Sequence, residues 1–77
     1  MPPNSPPDWV LARRRAIGDA IRAARGMRKL SQEKLGDLAG LDRKTINRTE
    51  QGSHATRIDH LLLIADALDV PLAQLVR

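Results

Sequence analysis

Five short α-helices around one core, an all-α class and a compact five-helix bundle, is the architecture that this sequence predicts. Ala, Leu and Arg dominate the chain, and its apolar residues recur at steps of three and four rather than in alternation. The β-branched and aromatic runs that mark strands are missing, and the aromatic content is a single residue, Trp9. Glycine, serine, aspartate and proline fall between the periodic segments, where helices start and stop. Seventy-seven residues allow one domain. A chain this short buries little core and depends on efficient helix packing or on association.

Four of the five prolines lie in residues 1–7, which read as a disordered, proline-rich, solvated tail ahead of a domain over residues 8–77. Helix 1 is expected from near Asp8 to about Arg25, with an apolar stripe of Ile17, Ala20, Ile21 and Ala24. Gly26 and the polar Arg28-Lys29 then break it. Ser31 can cap helix 2, Gln32 to Ala39, whose inner face is Leu35, Leu38 and Ala39. A full capping box would place Glu or Gln where Lys34 stands. Gly40 suits the left-handed end of that helix. Asp42 caps helix 3, which reaches about Gln51 and stops at Gly52. Ser53 to Thr56 is a polar loop. Helix 4 spans Arg57 to Leu68 with Ile58, Leu61, Leu62, Ile64, Ala65 and Leu68 on one broad face. Asp69-Val70-Pro71 turns the chain into helix 5, with Pro71 in its first turn and its end at Val76.

Charge is distributed unevenly. The formal net charge is +4, yet residues 1–48 hold eleven Lys/Arg against five Asp/Glu, and residues 49–77 hold two against four. A polyanion met by one side of the molecule is the partner this implies. Other classes are excluded. The longest apolar run, Leu61 to Ala65, is far short of the roughly 20 residues a bilayer needs. Nor does the start of the chain resemble a signal peptide. With no cysteine there is no disulfide or thiolate metal site, as suits a reducing cytoplasm. His54 and His60 stand six apart without a cysteine and make no zinc site. No nucleophile elbow or glycine-rich phosphate loop is present, so neither an enzyme nor a cofactor is expected. Arg13-Arg14-Arg15 could meet anionic lipid, but helix 1 needs its isoleucines and alanines for the core.

The informative stretch is helices 2 and 3. They are separated by Gly40-Leu41, the layout of a helix-turn-helix. Close packing of such a pair requires a small residue on the first helix, a permissive one in the turn and a β-branched apolar one on the second. Gly36, Gly40 and Ile46 fill these places. Rotated at 100° per residue from Asp42, Ile46 and Thr49 fall on one side of helix 3, at about 40° and 340°. Arg43, Asn47, Gln51, Lys44 and Arg48 span roughly 100° to 240°. That outer face carries two-headed hydrogen-bonding groups and no acid. Arg can grip guanine bidentately, and Asn or Gln can do the same to adenine.

Three stretches make Ile17–Val76 resemble a known family: Leu30-Ser31-Gln32-Glu33-Lys34-Leu35, then Thr45 through Gly52, then Leu61 through Leu68 with Val70 and Leu72. It is identified as a member of the XRE family of helix-turn-helix regulators, the lambda-repressor-like and Cro-like type. The resemblance implies a DNA-binding five-helix bundle, dimeric on an operator, with helix 3 in the major groove. It also implies that Gln32 braces a phosphate or a recognition side chain, and that Arg25 and Glu50 form a largely buried ion pair. Thr49 departs from the family, which has a large apolar residue there, so looser packing or a filling side chain such as Trp9 is expected. Leu63 falls opposite the inner face of helix 4 and could serve a dimer interface.

The function expected is therefore sequence-specific binding of a double-stranded DNA operator by a small cytoplasmic transcriptional regulator. Arg43, Lys44, Asn47 and Arg48 are the candidates for base contact. Ser31, Gln32, Thr45, Gln51, Arg28 and Lys29 are the candidates for phosphate contact or positioning, with Arg13-Arg14-Arg15 as further cations. A homodimer through helices 4 and 5 is expected. The alternative is a protein-interaction module, an antitoxin or adaptor acting through a protein partner. RNA binding is a third class, disfavoured by the lack of aromatic stacking residues.

Overall fold

The computed structural model describes residues 5–77. It contains α1 (Asp8–Met27), α2 (Gln32–Ala39), α3 (Arg43–Gln51), α4 (Ile58–Leu68) and α5 (Leu72–Val76). Residues 1–4 of the expected tail lie outside the described residues, and residues 5–7 lead into α1 without regular structure.

Gly26 does not break α1. The helix runs through it to Met27, and the reversal is made by Lys29, whose φ of 55° is left-handed. Leu30 N–H then bonds back to the Arg25 carbonyl at 3.2 Å, closing the last turn. Ser31 Oγ accepts the Lys34 N–H at 3.0 Å, and Asp42 Oδ1 accepts the Thr45 N–H at 2.7 Å. Both short helices thus begin with one of their orphan donors satisfied. Hydrogen bonding from Thr45 holds the Asp42 carboxyl below its ordinary range. Gly40, with φ 73°, ends α2 in the left-handed region that a side chain would strain. Pro71 is the cap of α5 rather than part of its first turn.

The core takes Ile21 from α1, Leu35 and Ala39 from α2, Ile46 from α3, four α4 residues (Leu61, Ile64, Ala65, Leu68) and Leu75 from α5. Each large member contributes about 1.5–3 kcal/mol through burial. The inner faces are narrower than the sequence predicts. Leu38, Ile58 and Leu62 are exposed. They lie roughly 70–110° from the centre of their helices' buried stripes, and helices this short enclose only a narrow seam.

Three glycines mark where backbones approach closely, among them Gly52 at the end of α3, where a Cβ would lie 2.8 Å from the Arg14 backbone carbon. On α2, a Cβ at Gly36 would collide with the Leu41 carbonyl oxygen, so the turn packs directly on that helix. On α1, a Cβ at Gly18 would lie 2.6 Å from the Glu50 carbonyl carbon and 2.7 Å from the Thr49 oxygen. Backbone therefore meets backbone where α1 crosses α3. Among the described residues no helix is long and apolar enough to cross a membrane.

Candidate nucleic-acid interface

The face of α3 is anchored from behind. Ile46 is fully buried in the core, and Thr49 and Glu50 are buried beside it. Arg43, Lys44, Arg48 and Gln51 are exposed, and Asn47 is half-buried. Four exposed polar or cationic side chains and Asn47 thus share one surface, with their helix held by its opposite side.

Behind this face lies an ion pair with defined geometry. Arg25 presents Nε to Glu50 Oε2 at 2.7 Å and Nη2 to Oε1 at 2.9 Å, a two-point grip. Its Nη1 donates to the Leu30 carbonyl at 2.8 Å, fastening the α1–α2 turn to the same group. The hydrogen bonding that Arg25 donates to Glu50 raises its pKa, against the lowering effect of burial. The Glu50 side chain has no exposed surface, yet no buried side-chain polar atom among the described residues is left without a partner. Arg22 adds a second cation at 3.5 Å from Oε1.

Gln32 links this pair to the outer face. Its Nε2 lies 3.2 Å from Glu50 Oε1 and 3.2 Å from Asn47 Oδ1. Of the two roles the resemblance implied, the geometry places its amide nitrogen against a side chain of α3. Other candidates are arranged differently. Ser31 spends its oxygen on the α2 cap, and Thr45 is half-buried with its carbonyl accepting the Thr49 hydroxyl at 2.8 Å. Lys29 is exposed in the α1–α2 turn, while Arg28 lies 3.6 Å from Asp69, an exposed pair of small energetic weight. The Arg13-Arg14-Arg15 run divides: Arg13 donates to the Val76 carbonyl at 2.8 Å and ties α1 to α5, and Arg14 is half-buried.

Thr49 is accommodated without a filling side chain. Its hydroxyl bonds within α3, and a concavity of about 180 Å³ opens between Ile17, Thr49, Ala55 and Leu61. Trp9, 70% exposed, does not occupy it. Sequence reasoning missed Gly18 and Arg22. A glycine inside an amphipathic helix costs about 1 kcal/mol against alanine, so its position beside Ile17 and Ile21 was the available signal for a close approach. Arg22 carried no signal for Glu50, which lies on another helix; its local partner is Asp19, 3.8 Å away on α1.

The helix-turn-helix family model HTH_3 matches residues 21–75. The fold is also similar to the crystal structure of the restriction-modification controller protein C.AhdI from Aeromonas hydrophila. That similarity has a TM-score of 0.81 and 34% sequence identity, covering 84% of this chain and 94% of that one. No curated protein matches the chain.

Proposed function

The chain belongs to the helix-turn-helix family, and from that premise we propose that it is a small transcriptional regulator that binds double-stranded DNA sequence-specifically with α3 in the major groove. One observation carries the reading. The outer face of α3 holds Arg43, Lys44, Asn47, Arg48 and Gln51 with no acid among them, while Ile46 and Glu50 fix the helix from behind. The major groove admits a helix, and these side-chain types match its donor and acceptor code. The likeness to C.AhdI supports a controller role of the same kind, exercised on DNA in the cytoplasm rather than as an enzyme.

In this reading Arg43, Lys44, Asn47 and Arg48 reach base edges. Lys29, Gln51, Thr45, Arg28 and the Ser31–Gln32 start of α2 serve phosphates, where the helix dipole also favours an anion. Arg43→Ala or Asn47→Ala is expected to cost about 1–3 kcal/mol on the preferred site and to relax selectivity there. Lys29→Ala is expected to weaken all sequences alike and to reduce the log–log salt slope by about one. Gel shifts on selected and random DNA across a salt series measure both effects. Unchanged selectivity in both α3 variants would remove α3 from the groove.

The exposed Ile58, Leu62 and Leu63 give α4 an apolar surface, and the chain beyond residue 48 is acidic. A single module of this size rarely reaches operator-grade affinity. A homodimer through α4 and α5 would present two α3 helices to half-sites about 34 Å apart. Leu63, 44% exposed, is the test position. Leu63→Glu is expected to shift the free protein toward monomer in sedimentation and to weaken binding to a palindromic site at least tenfold (about 1.4 kcal/mol). The same surface favours a second reading, an adaptor or antitoxin docking another protein. A one-to-one complex on a non-palindromic site, indifferent to Leu63→Glu, would select that reading.

A further inference from the structure

We propose that the cleft between α3 and the start of α4, walled by His54 and His60, seats a phosphate of the DNA backbone and takes up protons as it does so. This rests on the reading of α3 as the groove-facing helix. The cleft holds about 220 Å³ and is lined by Thr45 and Arg48 of α3, by His54 and Thr56 of the following loop, and by His60 of α4. Thr45 and Arg48 border the surface that α3 offers to DNA, so the cleft continues that surface along the flank of the helix. Two histidines six residues apart, neither in the core, are thus brought to one hollow.

Its walls supply donors and no acid. Among the described residues, no hydrogen bond or ion pair engages the Thr45 or Thr56 hydroxyl or the His60 ring. His54 Nδ1 lies 2.9 Å from Ser53 Oγ. A neutral imidazole has one N–H, whereas the imidazolium has two and can keep Ser53 while Nε2 donates to an oxyanion. Arg48 is the charged side chain that α3 brings to the imidazoles, and Arg57 and Asp59, exposed at the start of α4, stand outside the lining. Two imidazoles alone do not make a metal centre, and no group of three or more metal-binding side chains occurs among the described residues. A phosphate asks only for donors and positive charge. Imidazole changes charge between about pH 5 and 8, a window shared in this cysteine-free chain only by the α-amino group. Contact with a phosphate favours the charged ring, so DNA affinity rises as pH falls through that window.

Fluorescence anisotropy of a labelled duplex with the full chain, at constant ionic strength across that window, reads the linkage. The wild type is expected to gain on the order of tenfold in affinity toward the acid end. His54→Gln, in the exposed loop, should lose part of the gain, and His54→Gln with His60→Gln all of it, folding being checked by circular dichroism. The ranking of DNA sequences should not change, because phosphate contacts carry no sequence information. At the acid end the log–log salt slope of the wild type should exceed that of the double variant by about one. The ring C–H resonances of both histidines, followed by NMR, should titrate at higher pH with duplex present than without it. Wild-type affinity independent of pH, a gain kept in full by the double variant, or ring titrations unmoved by duplex would each overturn the site. The same NMR shift with millimolar inorganic phosphate in place of duplex would mark a free-anion site and overturn the assignment to the DNA backbone. Binding that is pH-linked but ignores sequence would support the cleft and count against α3 as the reader, a separate failure.

Discussion

Glu50→Ala is expected to destabilise the domain by about 3–5 kcal/mol, because it leaves the Arg25 guanidinium facing a cavity with its partner gone. Small domains are stable by only about 5–15 kcal/mol, so this change alone brings the chain close to unfolding. Urea denaturation followed by circular dichroism measures it. The double replacement Arg25→Met with Glu50→Leu should cost far less, since exchanging a buried pair for apolar groups removes the desolvation term together with the attraction. A loss in the double variant equal to that of Glu50→Ala would show that the packing around the pair, rather than its charge, matters. The pair also sets an acid limit. Burial pushes the Glu50 carboxyl up, but hydrogen bonds from Arg25 and Gln32 and the charges of Arg25 and Arg22 outweigh it, leaving the folded pKa below the ordinary 4.5. A carboxyl depressed on folding stabilises above its unfolded pKa, and that contribution is lost as pH falls through the folded value. Stability should therefore begin to fall below about pH 4.5, more shallowly in Glu50→Gln than in the wild type.

Gly18→Ala is expected to cost about 3 kcal/mol, the upper part of the range for overpacking, because the added methyl meets backbone that cannot rotate away. The atoms in its path belong to Thr49 and Glu50, so α1 must lift from α3 and strain the Arg25–Glu50 grip. Gly26→Ala provides the contrast within one helix. Nothing lies within 4 Å of a Cβ at Gly26, and the substitution should be neutral or stabilising by about 0.5–1 kcal/mol. Thermal melting of the two variants distinguishes close approach from helix propensity. Equal melting temperatures would mean that α1 and α3 can separate without penalty. Gly18→Ala should also weaken DNA binding, since α3 is displaced with its outer face.

Much of the fold was legible because helix boundaries here are local events. Ser31, Asp42, Gly40 and Gly52 act on backbone groups within a turn of themselves, and the structure places them as caps. The outer face of α3 was legible for a related reason: Ile46 must face the core, and the 100° step then sends Arg43, Lys44, Arg48 and Gln51 to the surface. Arg25 and Glu50 could be named only through resemblance, because nothing local joins residues 25 apart. Where local signals were followed too far they erred. Of the residues read as breaking helix 1, Gly26 lies within it and only the Arg28-Lys29 part holds, with Lys29 making the turn, and Leu38, Ile58 and Leu62 looked like core.

By itself the sequence determined the all-α class, the helix-turn-helix at Gln32–Gln51 and the acid-free face of α3. These follow from periodicity, capping and composition, which act over one or two helical turns. Only the tertiary structure decided which groups meet across helices. It turned Gln32 toward both Glu50 and Asn47, brought Arg22 to the buried carboxylate, divided the Arg13-Arg14-Arg15 run between α5 and the surface of α1, and made Gly18 the contact between α1 and α3. Each of these depends on the mutual placement of helices that the chain brings together from far apart. That placement is set by how all the side chains of the core fit at once, and no single window of sequence contains it.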